Sequence, residues 1–211
     1  MPQQQVLSAQ DPLSIQIRDE FFPGSDIIEV PRFGDGPSGQ CYTNARALAE
    51  KCNGRPLLGW MLTSLTGHFG EALHHAVIEL PTGEILDVTA PAFEGADYSS
   101  AAFIADRQQK LGKIDPCVPS KFIQLDNERA TEEYIALTVD RMRLSGRMNE
   151  IFIEHFEIND RYPFPPSFSV DPRHPALSQI RSLQEQINRL QHRRSQYFRR
   201  FMLGNFERLP S

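Results

Sequence analysis

Cysteine is scarce in this chain, and so are the patterns that make cysteine structural. Only Cys41, Cys52 and Cys117 occur among 211 residues, an odd number at irregular spacing. That argues against a disulfide framework and for reduced thiols. Neither Cys-x-x-Cys nor His-x-x-x-His occurs, so a zinc site built from Cys41, His68, His74 and His75 lacks the closely spaced ligand pairs that zinc favours. No metal is expected. Long apolar runs are missing as well: nothing approaches the roughly twenty residues needed to cross a bilayer. Met1-Pro2-Gln3-Gln4-Gln5 has neither the basic start nor the apolar stretch of a secretory signal, and a cytoplasmic location is expected. Basic residues are outnumbered, 22 against 27 acidic ones, for a net charge of -5. Outside the C-terminal tail too few aromatic and basic residues interleave to suggest nucleic-acid binding.

The rest is ordinary for one globular domain with an appendage: 40% hydrophobic and 23% charged, with sixteen prolines that imply many loops. Residues 1–25 read as an N-terminal arm, 26–160 as the core, 161–175 as a proline-rich linker or strap, and 176–211 as a basic amphipathic helix. Within the core, Asp26 to Val30 suits a strand. Gly34, Gly36, Pro37 and Gly39 crowd into a turn before Cys41. Ala45, Leu48, Ala49 and Cys52 then fall at helical spacing, with Asn53-Gly54 as a stop. Pro56 to Leu62 is an apolar run of strand length. Pro81-Thr82-Gly83 joins two apolar-rich runs, 76–80 and 84–88, as a hairpin. Tyr98 to Gly112 reads as helical, and residues 128–156 as two helices parted at Ser145-Gly146. In the tail, Ile180, Leu183, Ile187, Leu190, Tyr197 and Phe201 form a helical stripe with Arg194 as an exception. Seven arginines there face two glutamates, which leaves the preceding body acidic.

Chemistry concentrates around Cys41. A cysteine at a helix start sits at the positive end of the helix dipole, which favours its thiolate. The hairpin brings one run carrying His75 beside another carrying Asp87, and an imidazole oriented by a carboxylate is what a thiol needs to become a nucleophile. His75 is preferred over His74 because strand alternation puts it on one face with Val77 and Glu79. Gln40, Asn44, Trp60 and His74 are the candidates for substrate or oxyanion contacts. The backbone N–H of Cys41 is one oxyanion donor.

Gly39 with Cys41, Gly59-Trp60, His75-Ala76, and Asp87 with Thr89 together resemble the transglutaminase-like branch of the papain-like cysteine enzymes over residues 38–91. Val77 stands where that family tends to have tryptophan. Arylamine N-acetyltransferases share the Cys-His-Asp layout more distantly. The resemblance implies an α+β papain-like, transglutaminase-like core, in which the Cys-bearing helix packs on an antiparallel sheet and a C-terminal amphipathic helix follows. It also implies acyl transfer through a thioester, as in a protease, glutamine deamidase or transglutaminase. No cofactor is implied, and a protein or peptide substrate is expected over a small molecule. The alternative is a non-catalytic assembly protein acting through the arginine-rich helix, which suits a homodimer, a partner helix, nucleic acid or an anionic membrane, or packs back on its own body.

Overall fold

The computed structural model describes residues 4–90, 99–159, 167–169 and 171–203. The fold is mixed α+β. Strand β1 (Gln4–Val6) and helix α1 (Pro12–Phe21) come first, followed by β2 (Ile28–Gly36), α2 (Cys41–Cys52), β3 (Arg55–Leu65), β4 (Phe69–Glu79) and β5 (Ile85–Thr89). Then come β6 (Ser100–Asp106), β7 (Lys121–Gln124), the long helix α3 (Arg129–His155), the short strands β8 (Glu157–Asn159) and β9 (Ser167–Ser169), and helix α4 (Ala176–Leu203).

Strands β3 and β4 make one long hairpin, in register from Arg55 opposite Glu79 to Leu65 opposite Phe69. Gly67 supplies the left-handed turn at φ 81°. Strand order then runs β3-β6-β2-β5-β4, and the β3–β4 pairing closes it into a five-strand ring. All of these pairings are antiparallel except β2 with β5, which is parallel. The sheet therefore differs from an all-antiparallel expectation, because α2 and the β3–β4 hairpin intervene between β2 and β5 and return the chain in the same direction.

Cross-strand partners share a face, so the register sorts the core. Leu57 faces Val77, Met61 faces Phe103 and Val30 faces Ala101, and these six side chains form one cluster inside the ring. The alternate residues point outward. Trp60, Leu62, Ala72 and Ile104 meet Ile17 of α1, while Leu58 and Ala76 meet Ala45 of α2. Because both faces of β3 and β4 are covered, they read as nearly continuous apolar runs.

Several local expectations differ from what is found. Residues 4–21 are part of the body: β1 pairs with Leu65, Ser64 and Thr63, and Ile17 is fully buried. The open edge of β3 gives the glutamine-rich segment backbone partners, and Asp11 caps α1 by accepting from the Leu13 amide at 2.8 Å. Residues 100–106 are strand β6, not helix, because Ala101 to Ile104 are buried on both faces at once. Helix α3 runs unbroken through Ser145-Gly146, where the Ser145 hydroxyl donates back to the Arg141 carbonyl at 3.0 Å. Within the expected linker 161–175, residues 167–169 form β9 and pair with β8, while 161–166 and 170 lie outside the described residues.

Helix α4 lies along α3. Ile180 and Leu183 pack with Ile151 and Phe156, and Tyr197 and Phe201 pack with Tyr134, Leu137, Leu65 and Phe69 at the base of the ring. Arg194 interrupts the apolar stripe without being wasted: it stacks 5.4 Å from the Tyr134 ring centre and donates to its hydroxyl at 3.2 Å. Arg181, Arg189, Arg193 and Arg199 remain exposed. Among the described residues no helix is long and apolar enough to cross a membrane.

Candidate active site

Strand β2 leaves the sheet at Gly36, whose carbonyl accepts from the Ala90 amide at 2.8 Å. Residues 37–40 are exposed, and Gly39 turns the chain at φ 73° into Cys41, the first residue of α2. No side chain caps this helix start, which keeps the dipole end open at the thiol. Asn44 lashes the turn in place. Its amide donates to the Pro37 carbonyl at 2.9 Å and to the Thr89 hydroxyl at 3.2 Å. Gly36 makes room for it, since a Cβ there would sit 2.6 Å from Asn44 Cγ. Asn44 is thus a buried brace that fixes where Cys41 emerges.

His75 and Asp87 point into the ring end beneath that turn. Strands β4 and β5 pair Ile78 with Leu86 and Glu79 with Ile85, and one further step along that register would set Val77 opposite Asp87. His75 and Asp87 are therefore diagonal neighbours on one face, and the imidazole reaches across: Nε2 lies 3.0 Å from Asp87 Oδ2. Both are buried, with 4% and 1% exposure. The Cys41 thiol is near enough to the same imidazole to raise its pKa.

The charges follow this order. Burial works to lower the basicity of His75, but the charge of a Cys41 thiolate, hydrogen bonds to Asp87 and to the sulfur, and the Asp87 charge push its pKa up to about 10. Burial likewise works to raise Asp87. The hydrogen bond and charge of His75, the Thr89 amide at 2.9 Å and Arg32 hold it below the usual carboxylate range. A thiol beside an imidazole fixed by an ionised, buried carboxylate is a nucleophile-generating arrangement.

His74, one residue away, faces outward and is used differently. The Tyr42 hydroxyl lies 2.8 Å from its Nδ1, and its Nε2 lies 2.8 Å from Gln109 Oε1. Burial keeps its pKa low, so a neutral ring donating through Nε2 satisfies both contacts. His74 is only 5% exposed and anchors the first turn of α2 through Tyr42. Trp60, a candidate for substrate contact, lines a cleft of about 540 Å³ with Phe22, Asp106 and Lys121, but Cys41, His75 and Asp87 do not border it. Gln40 is exposed beside the thiol. His68 pairs with Asp126 at 2.6 Å rather than approaching Cys41. Among the described residues no three His, Cys, Asp or Glu side chains converge as a metal site.

Comparison with protein-family models, curated proteins and solved structures finds no match.

Two participants were not visible in the sequence. Tyr42 looks like part of an ordinary helix until its hydroxyl is seen on His74. Arg32 sits in Pro31-Arg32-Phe33 with nothing to mark it, and only the β2–β5 register places it opposite Asp87.

Proposed function

We propose that this chain is a cysteine-dependent acyl-transfer enzyme of the papain-like, transglutaminase-like kind, acting on an amide or thioester of a protein or peptide. The observation that carries this is the single imidazole of His75, held by Asp87 at 3.0 Å and raised in pKa by the nearby Cys41 thiol. An exposed turn at 37–40 beside a half-buried Cys41 suits a polypeptide segment laid across the helix start better than a small molecule enclosed in a cavity.

In the reaction, the Cys41 sulfur attacks the acyl carbon and the carbonyl electrons move onto oxygen, where the Cys41 backbone N–H at the open helix start is a donor. Collapse breaks the bond to the leaving nitrogen, which takes the proton held by His75 and departs as ammonia or amine. Water or an amine then attacks the thioester, giving its proton back to His75 as the C–S bond breaks and the thiolate re-forms. Asp87 stays ionised throughout and fixes the ring.

Iodoacetamide labelling at neutral pH, read by peptide mass spectrometry, tests this. Cys41 is expected to label far faster than Cys52 or Cys117, with the excess removed in His75→Ala. Incubation with a glutamine-containing peptide is expected to leave a hydroxylamine-sensitive adduct on Cys41 and to release ammonia. Equal labelling of all three cysteines would end the assignment.

A further inference from the structure

We infer that Arg32 is a positioning residue of this site, supplying the counter-charge that holds Asp87 ionised and aimed at His75 so that carboxylate, imidazole and thiol act as one charge-balanced chain. This rests on the acyl-transfer assignment above and extends it by one residue.

The geometry is specific. Arg32 Nε donates to Asp87 Oδ2 at 2.8 Å, the same oxygen that His75 Nε2 reaches at 3.0 Å. The other oxygen, Oδ1, accepts from the Thr89 amide. A second guanidinium nitrogen, Nη2, donates to the Thr89 carbonyl at 3.1 Å, so the fork grips both the carboxylate and the backbone of the strand that carries it. The carboxylate then has one orientation open to it, and His75 inherits that orientation.

Burial separates this from a surface ion pair. The side chains of Arg32 and Asp87 are 5% and 1% exposed, and the inward neighbours on β2, Ile28 and Val30, are apolar. An apolar residue would fill the position at less cost in desolvation. The groups facing Arg32 and His75 explain why a cation is there instead. From β5 comes Asp87, from α2 the Cys41 thiol with Tyr42 next to it, and from β4 His75 with His74 on the opposite face. The inward residues of β6, Ala101 and Phe103, carry no charge. With thiolate, imidazolium and carboxylate alone the buried group would hold one net negative charge. Arg32 brings it to zero, and its charge favours the ionised carboxylate.

The test is the pH profile of Cys41 alkylation, with thiolate ultraviolet absorbance measured in parallel, in the full-length protein. Arg32→Gln keeps donors for Asp87 and the Thr89 carbonyl but removes the charge, and Arg32→Met removes both. In each, the rising limb of the profile is expected to move to higher pH by about one unit or more, the scale of an opposite charge at contact distance. Arg32→Lys keeps the charge and is expected to leave the limb near its wild-type position with a lower plateau rate. If Arg32 were only a structural anchor, thermal stability and plateau rate would fall while the limb stayed in place, and that result in Arg32→Gln overturns the inference. The two assignments fail separately. A wild-type protein without excess Cys41 reactivity ends the acyl-transfer function, whereas a reactive wild type whose limb ignores Arg32→Gln ends only this one.

Discussion

Arg32 and Asp87 are register partners on two parallel strands, and both side chains are shut away from water. Such a pair stabilises only while both members are present, because removing one leaves the other as an uncompensated buried charge.

Asp87→Ala is therefore expected to cost about 3–5 kcal/mol in urea unfolding and to slow Cys41 alkylation at neutral pH by roughly a hundredfold, the low end of what a positioned base contributes. A stability loss under about 1 kcal/mol, the range of exposed pairs, would show that the two charges do not meet.

Stability should form a plateau in pH with opposite causes at its two ends. Asp87 has its pKa depressed by folding, so its contribution is present above the unfolded value of about 3.9 and is lost as pH falls through the lower folded value. His75 has its pKa raised to about 10, so its contribution is complete below the unfolded value of about 6.5 and is lost as pH rises through the folded one. Urea midpoints measured at stepped pH are expected to decline on the alkaline side in wild type and to flatten in His75→Gln. An equally steep alkaline decline in both proteins would count against the raised His75.

Gly59 stands opposite His75 across β3 and β4 and has no room for a side chain. A Cβ would lie 2.2 Å from the Ile104 carbonyl oxygen and 2.5 Å from Phe103 Cζ. Gly59→Ala is expected to lower stability by roughly 1–3 kcal/mol or more, read as a drop in thermal midpoint. An unchanged midpoint would mean that the ring is looser around Phe103 than this packing allows.

Phe201 is fully buried and meets Tyr134 at 5.7 Å and His68 at 4.6 Å between ring centres. Phe201→Ala should cost about 3–5 kcal/mol while leaving the excess reactivity of Cys41 over Cys52 in place in the folded fraction. Loss of that selectivity with the fold retained would tie α4 to the site.

Legibility in the sequence followed the range of the interaction. The start of α2 and the hairpin around Thr82 were readable, because glycine, proline and apolar period act within a few residues, whereas the expected turn before Cys41 shrinks to 37–40, Gly34 and Gly36 belonging to β2. Even so, pairing direction alone only set the run carrying His75 beside the run carrying Asp87, and the fold fixed the 3.0 Å contact between their side chains. The Tyr98 to Gly112 segment misled for the opposite reason: a run such as Ala101-Ala102-Phe103-Ile104 has no period, since β6 is covered on both faces.

The candidates for sulfur, imidazole and carboxylate were legible in residue type, local turn chemistry and strand alternation. Ring closure decided the rest: the parallel β2–β5 contact that delivers Arg32 to Asp87, the outward turn of His74 toward Tyr42, and the use of the α4 stripe on its own body. These depend on which strands become neighbours, a matter of how the whole chain buries its apolar faces together, and no short stretch of sequence carries that information.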